Sequence, residues 1–168
     1  IKEVVKALKD EKIIGIIRGR LEMGARALGN RSIICLPKKG MKAKLNKEVK
    51  HREPFRPFAP IVLEEHANEW FEMPAGKSNS PYMSFVAKCK KPEEIPAVCH
   101  ADGTSRVQTV NRHQHPDLYH AMRQWYAETG CPVVLNTSLN IKGQPIVNTE
   151  AEAQEFAKHY KVKVHVRD

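Results

Sequence analysis

The chain has 168 residues, with 28 Lys and Arg against 19 Asp and Glu, and so a formal charge of +9 at pH 7. At 41% hydrophobic residues it is long enough to bury a core without disulfide or metal staples, and it is unlike a disordered chain. No apolar run approaches the roughly 20 residues of a membrane-spanning helix, no N-terminal succession marks a secretory signal, and the basic balance implies an anionic partner. In chain order, Ile1, Val4, Val5 and Leu8 repeat at helical spacing and predict an amphipathic helix over residues 1–11. That the first residue is Ile and already lies inside this pattern points to a piece cut from a longer chain. A short buried strand is expected over 13–17, a Gly- and Arg-rich loop over 19–31, a second strand over 32–36 and a basic helix over 41–49. Pro54, Pro57 and Pro60 then impose an extended segment. A strand is expected to start over 61–63, followed by a short helix over 65–71, a loop over 74–81, a strand over 82–87, a loop over 92–104 and a strand over 106–110. The stretch 116–129 reads as a helix with Pro at its start and Gly130 at its end. A buried strand follows over 133–135, and Thr149 with Glu152 forms a capping box for a helix. A last strand is expected over 162–166. Strands and helices mix without strict alternation, which predicts an α/β (α+β) domain with a mixed sheet.

The charge is not spread evenly. Residues 15–60 hold twelve basic and three acidic residues, so this one segment carries the whole excess. Lys38 to Lys47 read as a solvated helix face. Arg26, Arg31 and Arg56 sit among Ala, Leu, Gly, Asn, Pro and Phe, where Arg usually pairs in fork geometry with carboxylate or phosphate. Cys35, Cys89, Cys99 and Cys131 form no Cys-x-x-Cys, so a structural zinc site is not expected, and four scattered cysteines suit reduced thiols and a cytoplasmic location. His113 with His115, or His100 with Asp102, could ligate a metal only if they lie on strands, and no metal site is expected.

Three stretches carry too many small and polar residues for ordinary core. Gly19 to Ser32 has glycines that allow close backbone approach and arginines at 20, 26 and 31 that can surround phosphate oxygens, yet it lacks the Walker ending. In Lys50 to Pro60, prolines around Phe55 and Phe58 stiffen the chain that carries Arg52 and Arg56, which preorganises charge. Arg106 starts a strand after an Asp-Gly turn and could point into the same cavity. In Leu135 to Pro145 a buried strand runs into Asn136, Thr137, Ser138 and Asn140, polar groups placed where ligands of open α/β sheets bind.

Together the motifs GRLEMGARALGNRSI, VKHREPFRPFAPIVLEE, SPYMSF, IPAVCHADGTSRVQTV and GCPVVLNTSLNIKGQPIVNT, from about residue 5 to the end, resemble the C-terminal domain of O-carbamoyltransferases of the NodU/CmcH/TobZ type. The family commonly has Pro at Ala25 and Asp-Pro-Arg at Leu36-Pro37-Lys38. The resemblance implies a YrdC-like twisted open α/β sheet around a basic cavity. It implies the making of carbamoyl-adenylate from ATP and carbamoyl phosphate, with Mg²⁺ on the nucleotide. It also implies a preceding actin-like, metal-binding transferase domain that passes the carbamoyl group to a hydroxyl of an acceptor. Carried over by position, Arg26, Lys50, Arg56 and Arg106 become the catalytic cations. Asn30, Arg31, Ser32, Arg52, Asn136, Thr137, Ser138, Asn140 and Lys142 become the substrate- and nucleotide-binding set, and Glu22 a group that could orient an arginine. The alternatives are a basic nucleic-acid-binding module, made less fitting by the absence of aromatic stacking platforms, and a non-catalytic interface domain.

Overall fold

A computed structural model describes residues 1–22, 24 and 26–167, the side chain of Arg167 excepted. Met23 and Ala25, and with Ala25 one departure from the family pattern, lie outside the described residues. Eight strands form one sheet: β1 (Ile14–Arg18), β2 (Arg31–Cys35), β3 (Ala59–Leu63), β4 (Phe71–Glu72), β5 (Phe85–Cys89), β6 (Thr104–Val110), β7 (Val133–Ser138) and β8 (Lys163–Arg167). Their order is β4-β5-β6-β3-β7-β2-β1-β8. The β1–β8 and β3–β6 pairs are parallel and the rest antiparallel, so the mixed sheet expected from the sequence is present. The inner strands β2, β3 and β7 are apolar in consecutive positions, as strands covered on both faces must be. Ile33, Ile34, Ile61, Val62, Leu63, Val133, Val134 and Leu135 are fully buried.

Helix α1 (Lys2–Lys9) buries Val5 and Leu8 and packs on α4 (Pro116–Thr129), which buries Leu118, Ala121, Met122 and Trp125. The ends of α4 follow the sequence signals. Pro116 opens it, and Gly130 closes it at φ 72, donating to the Tyr126 carbonyl at 2.7 Å. In α5 (Glu150–Tyr160) both capping-box bonds form: Glu152 N–H donates to Thr149 Oγ1, and Thr149 N–H to Glu152 Oε2.

Four expectations needed correction. The basic helix over 41–49 is a short α-helix, α2 (Met41–Leu45), followed by a wider π turn over Asn46–Lys50. Asn46 is the reason: it is fully buried, and its Nδ2 donates to the carbonyls of Arg56 at 2.9 Å and Pro54 at 3.3 Å, which ties the turn to the proline segment. The short helix expected over 65–71 splits into a 3₁₀ turn (Glu64–His66) and α3 (Ala67–Trp70). The strand expected over 82–87 starts at Phe85, because Ser80 to Ser84 form a turn. Met83 takes φ 54 there, and Ser80 Oγ accepts from Ser84 N–H at 3.0 Å. Finally, β7 does not stop at Leu135. Asn136, Thr137 and Ser138 stay in the ladder, with Ser138 opposite Ser32 of β2. Lys38, Lys39, Lys44 and Lys47 are exposed, a wet surface as read. Pro37 of the departing Leu-Pro-Lys turn is buried and accepts from Ala97 N–H at 3.0 Å.

Candidate functional site

Strand alternation sorts the polar end of β7. Asn136 and Ser138 share one sheet face, and Thr137 lies on the other, opposite Ile33. The sequence reading that grouped these three is thereby divided: Thr137 does not stand with its two neighbours. On the shared face Ser138 meets Lys50, the last residue of the π turn. Lys50 Nζ donates to the Ser138 carbonyl at 2.6 Å, to Ser138 Oγ at 3.0 Å and to Asn140 Oδ1 at 2.9 Å. Burial, with the neighbouring Arg52 charge, lowers the Lys50 pKa from 10.5 to about 7. Lys142 reaches back to the His51 carbonyl and so joins the same end of β7 to the end of the π turn.

Across β3 from β7, Gln108 of β6 completes a buried bridge. Asn136 Nδ2 donates to Gln108 Oε1 at 3.0 Å and to the Ala27 carbonyl at 2.8 Å, while Gln108 Nε2 donates to the Leu28 carbonyl at 2.7 Å. The Gly- and Arg-rich loop is thus clipped onto this face. Glu22 ties the loop to itself, accepting the Leu28 and Asn30 N–H groups on Oε1 at 2.6 and 2.8 Å. Burial raises the Glu22 pKa against those same bonds. Glu22 was expected to orient an arginine; its hydrogen bonds go to backbone, and the Arg31 charge acts on it as well. Arg31, only 5% exposed, is committed to structure as well. Its terminal nitrogens donate to the carbonyls of Arg18, Asn30, Gly19 and Asn148. Ser32 is fully buried and accepts from Gly29 N–H at 2.9 Å. Gly29 has φ 108, and a Cβ there would meet His115 and Leu118 at 3.2 Å, so glycine is required.

The remaining basic residues differ in how they are held. Arg52 is positioned twice: its Nε donates to Asn46 Oδ1 at 2.7 Å and its guanidinium lies 4.8 Å from the Phe58 ring centre. Its two terminal nitrogens have no partner among the described residues. Arg106 is half-buried, shares the face of Gln108, and likewise has no partner among the described residues. Extending the β3–β6 register by two residues puts Arg106 level with Ala59, which is itself opposite Asn136. Two strand spacings, about 10 Å, then separate Arg106 from Asn136. Because β6 and β7 run antiparallel, Arg106 and the Ser138–Lys50 cluster extend from the Gln108–Asn136 bridge toward the same end of the sheet. Arg56 is exposed and sits 3.9 Å from Glu53, and Arg26 is exposed. The structure thus brings Lys50, Arg106, Asn136, Ser138 and Asn140 toward one end of one face, with the Arg52 charge near Lys50. It sets Arg31 and Ser32 to hold the loop and leaves Arg26 and Arg56 on the surface. Beside this face Asn30, Glu22, Gln108, Tyr82, Gln114 and His115 line a cleft of about 450 Å³. Arg18 donates to His115 Nδ1 at 3.0 Å, and burial, with the Arg18 charge, lowers the His115 pKa. Asp102 is used in its own turn, accepting from Thr104 N–H and Oγ1. Among the described residues no group of three His, Cys, Asp or Glu side chains assembles as a metal site would. Gln108 and Asn46 escaped the sequence reading. The alternation of β6 placed Gln108 on the Arg106 face, which was the available signal. Nothing local marked Asn46.

A family model described as Carbamoyltransferase C-terminus matches residues 5–167. The chain belongs to this family. Among curated relatives of the carbamoyltransferase C-terminal domain, nodulation protein NolNO of Sinorhizobium fredii is 44% identical over 149 residues, covering 87% of this chain and 22% of the relative. Nodulation protein U of Rhizobium fredii is 38% identical over 161 residues, covering 94% and 27%. The 3'-hydroxymethylcephem-O-carbamoyltransferase of Amycolatopsis lactamdurans is 33% identical over 146 residues, covering 87% and 28%. The chain therefore spans about a quarter of the length of such relatives. In fold it resembles full-length HypF, solved in a phosphate- and nucleotide-bound form, with TM-score 0.66 and 20% identity over 95% of this chain and 19% of HypF. The sheet architecture that the family resemblance implied is thus present. No helix among the described residues is long and apolar enough to cross a membrane.

Proposed function

We propose that this carbamoyltransferase C-terminal domain is the activation half of an O-carbamoyltransferase, and that it makes carbamoyl-adenylate from carbamoyl phosphate and ATP. The observation that carries the reading is the set of cations at one end of one sheet face. Lys50 is locked to β7, Arg52 is fixed by Asn46 and Phe58 with its fork free, and Arg106 is left without a partner. Two phosphorylated substrates repel each other, and fixed cations offset that repulsion without reorganisation. In the proposed reaction, water hydrolyses carbamoyl phosphate to carbamate and inorganic phosphate. A carbamate oxygen then attacks the α-phosphorus of ATP in line, the bond to the β,γ-phosphates breaks, and pyrophosphate leaves. Arg106 and Arg52 bind phosphate oxygens and orient the two substrates, Lys50 adds positive charge beside them while it holds Ser138 and Asn140, and Asn136, Ser138 and Asn140 hold the polar groups of the nucleotide, with Lys142 at the rim. The exposed Arg26 and Arg56 reach the substrates only from the edge of the site. Mg²⁺ bound with the nucleotide would supply charge neutralisation on its phosphates. Among the described residues that line the cleft Glu22 is the one carboxylate, and its Oε1 already accepts two N–H groups.

The carbamoyl group is passed to a hydroxyl acceptor by a companion N-terminal transferase domain, a partner implied by relatives about four times as long. The relative named a hydroxymethylcephem O-carbamoyltransferase supports transfer to oxygen. The test is exchange of labelled pyrophosphate into ATP by this chain. Exchange that requires carbamoyl phosphate is expected. A folded chain that binds ATP yet gives no exchange would overturn the activation step.

A further inference from the structure

Two cysteines lie outside this chemistry and beside each other. Cys89 ends β5 and Cys99 follows the 3₁₀ turn Pro96–Val98. Both come to Ser105 of β6. Ala87 is opposite Ser105, and Cys89, two residues on, shares its face and donates its N–H to the Gly103 carbonyl at 2.9 Å. From the other side, Ser105 Oγ donates to the Val98 carbonyl at 2.7 Å and lies 3.9 Å from Cys99 Sγ. Both thiols thus flank Ser105, close enough that each shifts the other's titration. The neighbouring Cys89 thiol pulls the Cys99 thiol down despite burial, with the Ser105 hydroxyl and the Lys42 charge adding to the effect. Cys35 is fully buried, Cys131 is remote in sequence, and burial raises the pKa of both.

We propose that Cys89 and Cys99 are a redox-active dithiol that peroxide converts to an intramolecular disulfide. Both thiols are only 6–7% exposed, which suits a small oxidant. The Cys99 thiolate attacks one oxygen of hydrogen peroxide. An S–O bond forms, the O–O bond breaks, and the hydroxide released takes up a proton to leave as water. Cys89 sulfur then attacks the Cys99 sulfenic sulfur. The S–S bond forms, the S–O bond breaks, and a second water leaves with the Cys89 proton. In sum, two thiols lose two electrons to one peroxide and two waters are produced. The bridge closes residues 89–99 and pins the chain that enters the tight 100–103 turn, where His100 N–H donates to the Thr104 carbonyl at 2.8 Å. It is thus a covalent lock at the foot of β6, the strand that carries Arg106.

The test is peptide mapping of the full chain after mild hydrogen peroxide, alkylation of remaining thiols and trypsin digestion. The expected product joins the peptide of residues 89–90 to that of residues 91–106, is abolished by a thiol reductant, and leaves Cys35 and Cys131 alkylated. In Cys89→Ser, a sulfenic acid at Cys99 should persist and be captured by a dimedone probe. The proposal is overturned if the wild-type chain keeps both thiols alkylatable, or if it accumulates oxidised Cys99 without the linked peptide. The wild-type map needs no variant to fold.

Discussion

Lys50 brings an ammonium group against Ser138, Asn140 and Arg52, and burial lowers its pKa from 10.5 to about 7. Between pH 7 and 10.5 the unfolded chain therefore binds more protons at this residue than the folded chain. Stability of the ligand-free chain should rise with pH through that window, and the gain should be lost as pH falls back through about 7. Chemical denaturation across the window should show this slope, and Lys50→Met should flatten it. A bound phosphate reverses the balance by favouring the charged form. At pH 8, anion binding should take up a proton, read as a heat that depends on buffer ionisation enthalpy in calorimetry. A buffer-independent heat would remove Lys50 from the anion site. Arg106 gives a simpler outcome. Arg106→Glu should abolish ATP binding, because it replaces an unpartnered cation with an anion on the same face. Unchanged affinity would place the nucleotide elsewhere. Lys50, Arg52 and Arg106 could be singled out as candidates from their residue types in the motifs. That Arg31 donates to backbone carbonyls could not be read there, since the same guanidinium fork suits carbonyl and phosphate alike.

Among the elements, those with local punctuation were legible. The Pro116 start, the Gly130 end and the Thr149–Glu152 box all lie where the sequence put them, because each acts within one turn of chain. Thr149→Ala should therefore cost about 1 kcal/mol of stability with no change in ATP affinity, measured by denaturant melts alongside titration. The bridge under the loop predicts the opposite pattern. Asn136→Leu removes the donor to the buried Ala27 carbonyl and to Gln108, so a loss of about 1–3 kcal/mol should come together with weaker nucleotide binding. A stability loss without a binding change would make the bridge structural only. The elements misplaced in the sequence have distant causes. The strand at 82–87 shows alternation, but Ser80 folds the chain back on itself and Met83 turns it, so pairing with β6 begins only at Phe85. Likewise β7 reads as ending at its last apolar residue, yet β2 and β3 offer partners that keep polar residues in the ladder.

For the whole molecule, the +9 charge resolves into two populations. The lysines of 38–47 are largely exposed, whereas Lys50 and Arg52 are held in place. A salt series separates the proposed function from nucleic-acid binding. ATP binding should persist across a salt series, while any RNA binding should be weak and fall steeply, as release of counterions requires. RNA binding with no ATP affinity would reverse the assignment. The sequence by itself determined the family, the mixed α/β class, both ends of α4 and the start of α5, because long ordered motifs, hydrophobic period and capping residues are properties of neighbouring positions. Only the tertiary structure decided which polar residues share one face at the candidate site. Strand parity turns Thr137 away from Asn136 and Ser138, and burial commits Arg31 and Ser32 to the loop. Contacts between residues 28 to 88 positions apart join Gln108 to Asn136 and Lys50 to Ser138. Such pairings depend on register and burial, which no local spacing encodes.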